Sequence, residues 1–242
     1  QFESIGRDFE AIDPASAIAA CEDAVARDPA SDEDKAWLAR AYLADGRYEE
    51  AQPLLETAAA GDSTLGRFLL GQVLNGDLGG EDPDSTAANA QFQLAADAGF
   101  APAQLSLGYA YDVGTGVDAD DALAAEWYRK AAEQGLARAQ ASLGYLYHGG
   151  NGVPLDFALA MEWYAKAADQ NDVVGIYGVG QLYEFGQGVE QDYARAFEYF
   201  QRGADLGDAY AQADLGYLYD TGNGVAANAE QAAYWYQRAA DQ

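Results

Sequence analysis

Apolar residues in the second half of the chain recur every three or four positions, the spacing that gathers them on one side of an α-helix. In AQLSLGYAY, from Ala103, the residues Ala103, Leu107, Ala110 and Tyr111 form such a stripe. It returns in AQASLGYLY from Ala139, GIYGVGQLY from Gly175 and AQADLGYLY from Ala211. A second helical stretch follows each: GVDADDALAAEWYRKAAE from Gly116, GVPLDFALAMEWYAKAAD from Gly152, GVEQDYARAFEYFQRGAD from Gly188 and GVAANAEQAAYWYQRAAD from Gly224, each start 36 residues after the last. Paired helices at a fixed period predict a solenoid whose units bury their apolar faces only against one another.

The joints agree with this reading. Each first helix runs into Gly-x-Gly-Val (Gly114 and Gly116, Gly150 and Gly152, Gly186 and Gly188, Gly222 and Gly224), where glycine lets the backbone leave a helix at positive φ. Asp120, Asp156, Asp192 or Asn228 then stands where a new helix needs an N-cap, so these side chains are read as caps and not as acids for chemistry. In the second helix Trp127, Trp163, Tyr199 and Trp235 supply bulk, and Ala-Ala or Gly-Ala pairs allow close approach of the next unit. A column of bases, Lys130, Lys166, Arg202 and Arg238, imitates a phosphate-binding stripe. Three of them follow Glu126, Glu162 and Glu198 by four residues, so local ion pairs are expected instead.

The order Ala-x3-Leu-Gly-x2-Tyr-x2-Gly-x-Gly-Val, Asp, Trp-Tyr-x2-Ala-Ala resembles that of Sel1-like repeat proteins, a branch of the tetratricopeptide solenoids. Residues 101–136, 137–172, 173–208 and 209–242 hold four such units, and 63–100 a worn fifth with one extra residue between its helices. Upstream, within 1–62, LARAYLADGRYEEAQPLLETAA from Leu38 and AIAACEDAVARDP from Ala17 are similar to ordinary tetratricopeptide repeats, although Lys35 stands where that family places an aromatic. The resemblance implies an all-α, right-handed superhelical α/α solenoid, one continuous domain of about 11 helices over 1–242. Cys21 falls where that family buries a side chain, so a packed thiol is expected.

Composition narrows the function. Forty acidic residues against 13 basic ones give a net charge of −27, which disfavours nucleic-acid backbones. No apolar run is long enough to cross a bilayer. A single cysteine excludes an internal disulfide, and one histidine with one cysteine cannot build a His/Cys metal cluster. Phosphate-cradling, nucleophile-elbow and metalloprotease motifs are absent from the sequence. The chain is therefore read as a non-enzyme without cofactor or metal. The acidic loop NGDLGGEDPD, with Asp77, Glu81, Asp82 and Asp84, lacks EF-hand spacing and is read as a solvated connection.

Function then falls to the face opposite the buried stripe. Its columns are Pro102, Arg138, Val174 and Tyr210; Leu105, Ala141, Tyr177 and Ala213; Tyr109, Tyr145, Gln181 and Tyr217; and Asp112, His148, Glu184 and Asp220. The resemblance implies that first helices line the concave side of the superhelix. A tyrosine-rich strip bordered by carboxylates suits a protein or peptide segment carrying basic beside apolar residues. The expected peptide-binding residues are Tyr109, Tyr145, Tyr177, Gln181, Tyr210, Tyr217, Asp112, His148, Glu184 and Asp220, with His148 an exposed variant of its column. Two alternatives stay open: a regulatory or targeting part of a larger enzyme-containing protein, and an acidic surface for a glycan or cation. Ala239 and Ala240, which in earlier units face the next helix, are left without a successor, so either self-association through the last repeat or continuation by further sequence is expected. The chain starts at Gln1, as a trimmed protein or a piece of a longer one would. The resemblance implies an adaptor, as family members often are in bacterial signalling, envelope regulation or host interaction; the compartment stays open, a bacterial periplasmic or secreted one being among the settings that fit.

Overall fold

Every regular element in the computed structural model, which describes residues 13–78 and 83–242, is a helix. In chain order these are α1 Pro14–Arg27, α2 Asp32–Ala44, α3 Tyr48–Ala60, α4 Thr64–Leu74, α5 Ser85–Asp97, α6 Ala101–Val113, α7 Asp121–Glu133, α8 Ala137–Gly149, α9 Phe157–Asp169, α10 Val173–Phe185, α11 Tyr193–Asp205, α12 Ala209–Thr221 and α13 Ala229–Ala240. Among the described residues thirteen helices stand where about 11 were expected: three, α1–α3, precede residue 63, and the worn unit 63–100 keeps both of its own, α4 and α5. The fold is an all-α helical-repeat solenoid. Its described residues divide into two compact units, those up to 120 with α1–α6 and 121–242 with α7–α13.

Helix starts are set by short polar side chains that satisfy otherwise orphaned N–H groups. Ser31, Ser63 and Asp84 cap α2, α4 and α5 in the first unit. In the second, Asp156, Asp172, Asp192 and Asn228 each accept from two backbone N–H groups at the starts of α9, α10, α11 and α13. Three of the four side chains expected to cap are thereby seen doing so. The first helices α8, α10 and α12 end on left-handed Gly150, Gly186 and Gly222. Two residues on, Gly152 and Gly224 also sit at positive φ (64° and 71°), and a Cβ there would lie 2.2 Å from the Asp121 and Tyr193 carbonyl oxygens. Those turns need glycine for both conformation and contact.

Each core repeats at the sequence period. In the second unit Ala124, Ala160, Ala196 and Ala232 are buried at one register, and Leu143, Val179 and Leu215 at another. Aromatic bulk comes from the second helices: Tyr164 and Phe200 are fully covered and lie against Gly144 and Gly180, where a methyl would meet their rings at 2.8 and 2.5 Å. That contact is why Leu-Gly recurs in the first helices. One expectation fails here. Tyr111, Tyr147, Tyr183 and Tyr219 are half-buried rather than core residues, since small residues on the first helix leave the centre to rings from the second.

A buried glutamine joins successive repeats. Gln140 Nε2 donates to the Ala132 carbonyl at 3.2 Å, and Gln212 Nε2 to the Ala204 carbonyl at 3.3 Å, each reaching the C-terminal turn of the preceding second helix. Gln104 does the same for Ala96 in the first unit, at 3.1 Å. In the repeat 173–208 this position is Ile176, and the matching Ala168 carbonyl is served by the Arg202 guanidinium instead. Arg202 also donates to Asn171 Oδ1 at 2.7 Å; Asn171, at φ 64°, stands where Gly99, Gly135 and Gly207 occur.

The column of bases behaves differently from the expected set of ion pairs. Only Lys166 pairs within its helix, with Glu162 at 2.7 Å. Lys130 rests its ammonium 3.5 Å from the centre of the Trp127 ring, a cation–π contact, and Arg202 is occupied as above. Long basic stems lying on flat apolar rings explain the preference. Cys21 is half-buried, and burial together with Asp34 pushes its thiol pKa upward. Asn75 donates to Asp77 and Asp84 caps α5, while Glu81 and Asp82 lie outside the described residues.

Candidate binding surface

The outward side of the first helices carries the tyrosines named from the sequence. On α6, in the first unit, Tyr109 is 58% exposed and Asp112 half-buried. In the second unit Tyr145 on α8 and Tyr217 on α12 are 55% and 45% exposed, and Tyr210, at the start of α12, 71%. Asp220 is exposed. Large rings at such exposure contrast with Tyr164 and Phe200, one helix away. The rest of each column is more varied: Ala141 is buried, and Arg138 reaches Asp172 at 3.7 Å.

The repeat 173–208 departs from its neighbours on this side. Tyr177 is half-buried, donates its hydroxyl to Asp214 Oδ2 at 2.9 Å and accepts from Gln181 Nε2 at 3.0 Å. Its ring lies 5.9 Å from that of Tyr210 and 5.6 Å from that of Phe200. Burial, and next the Asp214 charge, hold the Tyr177 hydroxyl proton on well above the usual range. Glu184, expected on the acidic border, is only 6% exposed. Burial, reinforced by Asp214, raises its pKa to about 7, and burial lifts Asp214 as well. Glu184 is thus corrected from a solvated carboxylate to a buried one, and Tyr177 and Gln181 from free contacts to members of a hydrogen-bonded set.

Asp214 escaped the sequence reading. Its register holds Ser142 and Gly178 in the two preceding repeats, so the signal was one acid in a column of small residues. His148 is also corrected. It is half-buried, with Nε2 2.9 Å from Gln187 Oε1 and its ring edge-on to Phe157 and Tyr164 at 5.6 and 6.1 Å. Its neighbours, invisible in a linear column, cover it.

A shallow depression at the α10–α11 turn is lined by Tyr183, Asp192 and Arg195 among others. Asp192 is committed to capping α11, and Arg195 to Asp192 and the Tyr183 hydroxyl. Among the described residues no group of three His, Cys, Asp or Glu side chains is arranged to hold a metal ion, and no helix is long and apolar enough to cross a membrane.

Comparison with known proteins places this geometry. The Sel1 repeat model matches residues 65–100, 101–136, 137–172, 173–208 and 209–242, and a tetratricopeptide repeat model matches residues 9–64. Among solved structures, a Sel1 repeat protein from Oxalobacter formigenes is 35% identical with a TM-score of 0.81, covering 86% of this chain and 82% of its own. A protective antigen of uropathogenic Escherichia coli strains that displays an SLR fold is 30% identical with a TM-score of 0.82. The match covers 93% of this chain but 48% of the antigen, so the chain spans about half that protein's length. An immunity protein from Pseudomonas aeruginosa, 19% identical with a TM-score of 0.52, shares the fold and covers 79% of this chain and 73% of its own. No curated protein matches the sequence.

Proposed function

The chain belongs to the Sel1 repeat family, and on that premise we propose that it holds a protein or peptide segment on the outward face of its first helices. Proteins built from Sel1 and tetratricopeptide repeats are generally non-catalytic interaction scaffolds. The observation that carries the finer reading is the exposure of Tyr145 and Tyr217 at one register of α8 and α12, while Tyr128, Tyr164 and Phe200 at one register of α7, α9 and α11 are buried and Tyr236 of the last helix alone at that register is 40% exposed. An exposed tyrosine offers broad apolar contact and a hydroxyl at small entropic cost. The net charge of −27 speeds encounter with a basic partner, an attraction that added salt screens.

The test is affinity capture with the wild type beside a Tyr109→Ala/Tyr145→Ala/Tyr217→Ala variant and a Glu162→Ala/Glu198→Ala control on the second helices. Circular dichroism establishes that all three are equally helical. Partners lost from the tyrosine variant and kept by the control support the proposal; identical partners for all three proteins remove it.

A further inference from the structure

Glu184 is a carboxylate with nothing to neutralise it. It is 94% buried (6% exposed), and neither a hydrogen bond nor an ion pair to its carboxylate occurs among the described residues. Burying a carboxylate without a partner is costly, and such a group is retained where something else completes it. Tyr177, Gln181 and Glu184 stand at i, i+4 and i+7 along one side of α10. Tyr177 carries that side to α12 through its 2.9 Å bond to Asp214 and its ring contact with the 71%-exposed Tyr210. Asp214 and the two rings therefore meet directly, and the unpartnered Glu184, about two turns further along α10, lies within reach of the Asp214 charge.

Around α10 the other charged and titratable groups are engaged or remote. His148 on α8 is bound to Gln187, Tyr164 on α9 is a buried neutral ring, and Arg195 on α11 is held by Asp192 and Tyr183. Asp220 on α12 is exposed. Asp214 is the charge that acts on Glu184, and Glu184 in turn acts on Tyr177.

From this juxtaposition we propose that the Tyr177–Glu184–Asp214 cluster, rimmed by Tyr210, receives an arginine or lysine side chain of the bound segment. A guanidinium or ammonium there gains charge-assisted bonds to the carboxylates and cation–π contact with the rings. The inference rests on the binding face proposed above and names what that face selects. Because burial raises the Glu184 pKa to about 7, seating a cation drives off its proton, and affinity rises as pH climbs through that value.

The probe is acetyl-triarginine amide, compared with the neutral citrulline peptide of the same shape, in calorimetric titrations in two buffers of different ionisation enthalpy. Glu184→Gln keeps the shape and removes the charge; Glu198→Gln removes one charge of the same sign from an exposed position on α11, off the proposed face. The expected result is about tenfold weaker triarginine binding for Glu184→Gln, less than about twofold for Glu198→Gln, and proton release near pH 6 only when Glu184 is present. Equal weakening by the two variants, or equal binding of the citrulline peptide, overturns the proposal. Calcium chloride binding that depends on Glu184 in the absence of peptide would give the cluster to an inorganic cation and also overturn it. A Tyr145→Ala/Tyr217→Ala variant separates the two readings. If it loses peptide while Glu184→Gln does not, the binding face stands and this cluster falls; if neither loses peptide, both fall.

Discussion

The repeats 137–172 and 209–242 follow one recipe, and the repeat between them follows another. The outer two carry a buried glutamine in the first helix, Gln140 and Gln212, that satisfies a carbonyl of the preceding second helix. The middle repeat has Ile176 there, and Arg202 reaches back from its own second helix to the same kind of carbonyl. The outer two expose Tyr145 and Tyr217; the middle one replaces that tyrosine with Gln181 and turns it inward to Tyr177. A repeat array thus keeps its stacking by satisfying one backbone group through either of two side chains, which leaves its outward face free to vary. The frame is shared by the three repeats, whereas the buried Glu184 and the Tyr177–Asp214 bond occur in the middle one.

The largest expected effect comes from breaking what the repeats share. Gly152→Ala or Gly224→Ala puts a Cβ against the carbonyl of a neighbouring helix at an unfavourable φ, and urea unfolding should show a loss of about 3 kcal/mol or more. Gly188→Ala should cost less, because the Phe157 Cβ at 2.7 Å and carbonyl carbon at 2.9 Å leave more room than the 2.2 Å contacts at Gly152 and Gly224. A smaller effect, about 1–2 kcal/mol, is expected for Arg202→Met, which strips the Ala168 carbonyl and Asn171 of their donor. Adding Ile176→Gln to that variant should recover more than half of the loss, since it installs the donor used by the flanking repeats. No recovery would mean the two side chains are not substitutes.

Next is the pH dependence of the middle repeat. The folded pKa of Glu184 is raised to about 7, so its proton is held more tightly folded than unfolded. Stability is full below the ordinary carboxylate range and falls as pH rises from there through about 7. Glu184→Gln should flatten this slope in unfolding experiments, with a gain of about 1–2 kcal/mol over the wild type near pH 8. The smallest effect is reserved for Asn171→Gly, which restores the residue used at the equivalent turns and should change stability by less than about 0.5 kcal/mol, the lost Arg202 bond offsetting the relaxed φ.

What was legible in the sequence follows from what the repeat enforces. Helix pairs, glycine turns and caps recur because every unit must meet the same neighbour, so the period reveals them. The glutamine joint was equally available, as the Gln of AQASLG and AQADLG missing from GIYGVG, but a polar residue inside an apolar stripe draws attention only once burial is seen. The face columns were less legible. Helical periodicity gives the direction in which position 184 leaves α10, but it does not tell what covers that position. Glu184 is buried and Asp220 exposed at one register because their surroundings differ. Asp214 and Tyr177 meet only because small residues of the usual pattern are replaced on two helices at once, a pairing that no single column displays.

Site-directed photo-cross-linking tests the account's centre most directly. A benzoylphenylalanine in place of Tyr217 on α12 or Gln181 on α10, compared with one in place of Glu198 on α11, reports which side of the repeats meets the partner. The account predicts covalent adducts from positions 217 and 181, none from 198, and loss of the 181 adduct as pH falls below about 7. Adducts from 198 alone would contradict it, because the partner would then lie on the second helices and the tyrosine face would be bystander surface.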